Sequence, residues 1–253
     1  MPFDLADVSP SYILLIGLVF FFAGTVKGVT GMGLPTVSMA LLGALMPPVT
    51  AAGLLIVPSF VTNIWQLALG PNFRALALRM WAMMAGIVIG TVAGARVLTS
   101  DTSGWTTVGL GLALMIYSAF TLLARQLSVA PKLEKRLSFW IGLSTGLVAG
   151  GTGVFVIPAV PYLQALGLRK DDLIQALGLS FTVSTVALAV GLAGGGAFRL
   201  ESAAASCLAI APALAGMWAG QIVRARVSPP AFRRWFLICL FLLGVQLFVR
   251  PFL

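Results

Sequence analysis

A chain of 253 residues that is 59% hydrophobic and only 9% charged lies far below the roughly 25% charged usage of soluble domains, which excludes a soluble fold and leaves an integral membrane protein. Sixteen Lys and Arg against seven Asp and Glu give a net charge of +9; in a membrane chain such an excess collects in cytoplasmic loops, so it reports orientation and not a nucleic-acid partner. Without histidine, and with two cysteines outside any CxxC spacing, the chain offers no zinc, haem or disulfide framework and calls for no cofactor or metal.

The N-terminal MPFDLADVSP carries two acids and lacks the basic n-region of a cleavable signal, so the first apolar segment is expected to remain in the mature protein. Turn and charge signals then divide the chain into apolar segments at 11–26, 28–46, 49–70, 78–98, 105–124, 137–150, 152–167, 173–194, 203–223 and 232–249. Two neighbouring pairs are short against the roughly 20 residues a span needs, and they meet at the glycine clusters GVTGMG and GGTG. Each pair reads as a hairpin or as one broken span.

The basic residues arbitrate. Arg74 with Arg79, the run from Arg125 to Arg136 and the run from Arg224 to Arg234 fall on one side, with Arg169 and Lys170, only when each pair counts as two passes. That count leaves both termini periplasmic and five segments in each half, so homologous halves would lie in opposite orientations.

The halves also repeat one another in order. Gly24, Gly28, Thr30 and Gly31 recur 122 residues on as Gly146, Gly150, Thr152 and Gly153, and Ser59 with Phe60 recur as Ser180 with Phe181. Phe73 and Arg74 recur as Phe198 and Arg199, and Gly90 and Gly94 as Gly216 and Gly220. The expected fold is an all-α polytopic membrane protein. It comprises a first repeat over 1–126, a basic cytoplasmic linker over 127–136 and an inverted second repeat over 137–253, each repeat with a glycine-broken short pair and three long helices. Inverted repeats with interrupted helices are a plan of secondary transporters, with the substrate near the midplane.

At GTVKGVTGMGLP (24–35), PSFVTNIWQ (58–66) and GLVAGGTGVFVIP (146–158) the sequence resembles the sulfite exporter TauE/SafE family of bacterial membrane permeases, over nearly its whole length. The resemblance implies transport of sulfite, organosulfonates or related small oxyanions across the inner membrane.

Non-helical backbone at membrane depth must be buried in protein or line a wet cavity, and freed N–H groups at a half-helix start favour an anion. Gly28, Gly31, Gly33, Gly150, Gly151 and Gly153, with Thr30 and Thr152, are therefore candidate substrate-lining residues, whereas Gly90, Gly94, Gly216 and Gly220 lie inside long spans and read as helix-packing glycines. Lys27 is a loop charge if the hairpin tip reaches the interface and a counter-ion for the substrate if the tip stops near the midplane. Ser59, Thr62, Asn63 and Gln66 follow an i, i+3, i+4, i+7 spacing that puts four polar groups on one helical face. Ser180, Thr182, Ser184 and Thr185 match them in the second half, and both stripes are expected to line the pathway.

All seven acids, Asp4, Asp7, Asp101, Glu134, Asp171, Asp172 and Glu201, map to termini or loops, so no intramembrane carboxylate relay for protons is expected. An anion would move down its own electrochemical gradient, or with a proton carried on the substrate. No P-loop and no nucleophile–base pair occurs, which argues against an enzyme. An anion channel and a structural subunit of a membrane complex stay as alternatives. The expected partners are a small anionic substrate and the lipid bilayer; the oligomeric state, a homo-oligomer included, is left open.

Overall fold

The computed structural model describes residues 10–101, 103–123, 128–198, 200–224, 226 and 228–252; Asp4, Asp7, Arg125 and Arg199 lie outside these. The described residues form eleven α-helices and no strand: α1 (Pro10–Thr30), α2 (Leu34–Leu45), α3 (Pro48–Ala68), α4 (Phe73–Ser100), α5 (Trp105–Leu123), α6 (Pro131–Thr152), α7 (Ala159–Ala165), α8 (Lys170–Gly194), α9 (Leu200–Leu208), α10 (Ile210–Arg224) and α11 (Pro229–Val249), followed by a 3₁₀ turn at Arg250–Phe252.

Seven spans among the described residues are long and apolar enough to cross a membrane: α1, α3, α4, α5, α8, the combined α9–α10 rod from Ala204, and α11. All six tryptophans face outward, as lipid-exposed aromatics of a multi-pass protein do. α3 and α8 form the centre, with 61% and 67% of their spans buried against 22% to 44% for the other five.

The breaks differ from the expected segment ends. α1 runs through Lys27 and Gly28 to Thr30, so its 21 residues cover about 32 Å, and α6 likewise reaches Thr152 over 22 residues. Only the second member of each pair is short: α2 has 12 residues and α7 has 7. Lys132 to Arg136, expected in a linker, form the first turns of α6, because Pro131 suits a helix start and supplies no amide that needs a partner.

Contacts run across the halves. α1 lies along α10 as α6 lies along α4, α9 packs on α3 as α4 packs on α8, and α3–α8 and α5–α11 complete the set. Glycines set the first two pairings. Gly24 faces Ala213 and Met217, and Gly28 faces Met217 and Gly220, so α1 and α10 run parallel; Gly86, Gly90 and Gly94 face Gly142, Gly146 and Gly150, so α4 and α6 do too. A Cβ at any of these would collide with opposing backbone, the close approach that small-xxx-small stripes allow.

Arg79 pairs with Glu134 at 2.6 Å, and Asn72 Nδ2 donates to Asp172 Oδ1 at 2.7 Å. These bonds gather the starts of α4, α6 and α8 at one end of the bundle, together with the end of α3, where Gln175 Nε2 donates to the carbonyls of Leu67 and Gly70. Lys27, near the end of α1, bonds to α3 close to that same end.

Candidate functional site

Each break is a small hydrogen-bonded device, and the two are alike. At the first, the Gly31 N–H donates to Lys27 O (2.7 Å), the Thr30 hydroxyl is within donating distance of both Val26 O (2.9 Å) and Met32 O (2.7 Å), and the Met32 N–H donates back to Thr30 Oγ1 (3.3 Å). At the second, Gly153 N–H donates to Ala149 O (2.8 Å), Thr152 Oγ1 to Val148 O (2.7 Å), and Val154 N–H to Thr152 Oγ1 (3.3 Å). Gly31 and Gly153 sit at φ +78° and +71°, a left-handed conformation that ends a helix and that glycine alone adopts without a Cβ penalty. Beyond the glycine the two chains diverge. Gly33, at φ +103°, leads through Pro35 straight into α2, whereas Val154–Ile157 run on without helix before Pro158 opens α7.

Lys27 does not reach solvent. It is 3% exposed, and its ammonium donates to Thr62 Oγ1 at 3.1 Å and to Asn63 Oδ1. Asn63 Nδ2 donates on to Thr185 Oγ1 (3.4 Å), which donates to Phe181 O (2.7 Å), so a polar chain crosses from α1 through α3 to α8. An ammonium has three donors, and Thr62 and Asn63 take two. The ion pairs among the described residues, Arg79–Glu134 and Arg169–Asp172, leave Lys27 without a carboxylate. A buried charge compensated only by neutral dipoles is costly.

Both expected polar stripes turn inward. Ser59, Thr62, Asn63 and Gln66 on α3 and Ser180, Thr182, Ser184 and Thr185 on α8 are all buried. The threonines bond back to their own helices, with Thr62 Oγ1 donating to Pro58 O and Thr182 Oγ1 to Gly178 O. Among the described residues, Ser59, Ser180 and Ser184 have hydroxyls with no protein partner, and Gln66 donates to Ile174 O while its Oε1 accepts nothing. Buried hydroxyls are ordinarily satisfied; Thr36 and Ser38 of α2, Thr91 of α4 and Ser118 of α5 share this state, so it extends beyond the central helix pair.

Not every candidate residue is at the breaks. Gly28 and Gly150 lie inside their helices, in the α1–α10 and α4–α6 seams; the packing role expected of Gly90, Gly94, Gly216 and Gly220 extends to them. Gly151 is also helical, with open space around its Cα. Gly31, Gly33 and Gly153 are the break glycines.

Ser206 escaped the sequence reading. Pro58 cannot hydrogen-bond to Leu54 O, and that freed carbonyl accepts from Ser206 Oγ of α9 at 2.6 Å, while the Val57 N–H donates to the same hydroxyl at 3.1 Å. The proline signalled a free carbonyl on α3; nothing in the sequence named its partner.

The sequence profile of the family described as Sulfite exporter TauE/SafE matches residues 16–247. This chain belongs to the TauE/SafE family. The match takes in both breaks, Lys27 and both polar stripes, and it makes the chain a multi-pass membrane protein of a transporter family. No curated protein and no solved structure gives a match.

Proposed function

We propose that this TauE/SafE chain is a secondary permease that moves a small anion such as sulfite or an organosulfonate outward across the bacterial inner membrane. Its site would lie between the two helix breaks and the α3–α8 polar stripes. The observation that carries the reading is Lys27: a buried ammonium, held by neutral Thr62 and Asn63 and by no acid among the described residues, attracts an anion that brings the missing charge. Asn63, Gln66, Ser59, Ser180 and Ser184 supply hydrogen-bonding groups around it, and Thr30, Gly31, Gly33, Thr152 and Gly153 form the turns on either side.

On this reading residues 1–126 and 137–253 are inverted repeats. The exchange of packing partners between the halves and the matching bonds at Thr30 and Thr152 support that pairing. With the arginine-rich end in the cytoplasm, as the distribution of basic loops favours, both termini are periplasmic. The membrane potential then drives a monoanion outward with about 2.3 kcal/mol per 100 mV, so no other energy source is required. Neighbouring repeats rocking about the glycine seams would expose the site to each side in turn.

The test is sulfite and sulfonate efflux from proteoliposomes under an imposed potential. Saturable, potential-driven efflux lost in Lys27→Ala supports the reading. Flux that rises without saturation would favour a channel, and native-level efflux in Lys27→Ala would place the anion elsewhere.

A further inference from the structure

We infer that a cavity at the arginine-rich end is a second oxyanion site, where the anion is held before it passes the first break to Lys27. The inference rests on the anion-permease reading for the identity of its ligand. The cavity has a volume of about 790 Å³ and is bounded by Thr30 and Gly33 of the break, Tyr117 of α5, Arg224 at the end of α10, and Arg233 and Arg234 in the first turns of α11. Among the described residues no carboxylate lines it, and neither ion pair involves its arginines.

Three guanidinium groups around one concavity are suited to an oxyanion, because each presents a planar fork of donors that grips two oxygens at once. Apolar walls concentrate their field: Arg233 is only half-exposed and Leu237 beside it is buried. The opposite end of the bundle sharpens the assignment. Its cavity, about 480 Å³, is lined by Asp101 and Arg250, one charge of each sign, against three positive charges here. The site also has an outlet, since Thr30 in its wall is three residues from Lys27 on α1, neighbours on one helix face about 5–6 Å apart at Cβ.

The ligand chemistry is that of a small oxyanion with one or two negative charges, supplied either by sulfite from solution or by the phosphate of an anionic lipid headgroup. We commit to sulfite. The experiment measures binding of ³⁵S-sulfite to purified protein in nanodiscs of phosphatidylcholine alone, for the native chain, Lys27→Met, and the triple variant Arg224→Gln, Arg233→Gln, Arg234→Gln.

The native chain should show two classes of site. The weaker should fade with added salt, because exposed charges are screened within about 8 Å at physiological ionic strength. The triple variant should bind at that class at least about tenfold more weakly and keep the other, which also certifies its fold; replacing the three arginines by lysine should restore part of the loss. Lys27→Met should do the reverse. Native-like binding by the triple variant, or no saturable sulfite binding in the native chain, overturns the proposal. So does displacement of arginine-dependent sulfite by nanodiscs containing phosphatidylglycerol, which would make the headgroup the resident ligand. If Lys27→Met alone leaves all binding intact, the central site fails while the arginine site stands.

Discussion

At the first break Thr30 and Gly31 make the same three bonds that Thr152 and Gly153 make at the second, and each glycine takes the same left-handed turn. The position whose carbonyl accepts the glycine amide is Lys27 in one and Ala149 in the other. The surroundings diverge further, for the first break opens on three arginines while the second packs Gly153 against Met39. The turn and the seam beside it thus occur twice, whereas a buried ammonium stands at the first break and an alanine at the second; on the proposed permease reading, attraction for an anion belongs to the first break.

The comparison breaks first at the charge. Lys27→Met should lower sulfite efflux roughly a hundredfold, about 2.7 kcal/mol of lost stabilisation, because it removes the ammonium and strands Asn63 Oδ1. Thr152→Val should lower it only about threefold, since Thr152 bonds to backbone of its own break. Equal losses in transport assays would mean that the two breaks are functionally alike and that the charge is incidental.

Next come the seams. Gly28→Ala and Gly150→Ala each drive a methyl into opposing backbone and should cost about 2 kcal/mol, read as matching falls in Tm in detergent. A fall confined to one of them would deny that the α1–α10 and α4–α6 contacts are equivalent. The turns themselves should separate more gently. Gly31→Ala meets open space and pays only the left-handed conformation, about 1 kcal/mol, while Gly153→Ala adds contact with Met39 Sδ at 2.8 Å and should cost about 2 kcal/mol. Equal costs in denaturant titrations would show that Met39 yields freely.

The smallest effect lies at the far end, where Asp101 stands between α4 and α5. Burial pushes its carboxyl up, but hydrogen bonds from the Thr106 hydroxyl and N–H and from the Ser103 and Trp105 N–H groups outweigh that and hold it at about 2 against an ordinary 3.8. A depressed carboxyl stabilises the fold above its unfolded value, so its contribution is complete above about pH 4 and disappears as pH falls towards 2. Asp101→Ala should cost about 0.5 kcal/mol at neutral pH and flatten that acid limb in a thermal-shift series; an unchanged limb would assign it to other carboxylates.

The inward turn of the candidate residues on α3 and α8 was legible because membrane sequences are sparse in polar groups. A stripe at 59, 62, 63 and 66 inside an apolar run has few places to go but inward, and α3 buries all four. The recurrence of Gly-Thr-Gly spacing 122 residues apart marked both breaks to within a few residues. The error in their position has a physical source. Gly28 and Gly150 look like helix breakers, yet a glycine inside a helix is tolerated when another backbone must come close, and the partner strips at Gly216–Gly220 and Gly90–Gly94 lie far away in the chain. The fate of Lys27 was equally open, since a lysine three residues from a helix end can snorkel to the interface or turn inward.

Composition and period, which need only local chemistry to be read, give a polytopic helical membrane protein, but the acids expected in loops include Glu134, Asp171 and Asp172, which stand in the first turns of α6 and α8, because those helices start earlier than the apolar runs do. Helix packing is what turns Lys27 into Thr62 and Asn63, brings Ser206 to the carbonyl freed by Pro58, and gathers Arg224, Arg233 and Arg234 around one cavity with Thr30 and Gly33. Each of those depends on which helices lie side by side, and that is fixed by how the glycine faces of α1, α10, α4 and α6 fit together, a property of paired surfaces that no single segment contains.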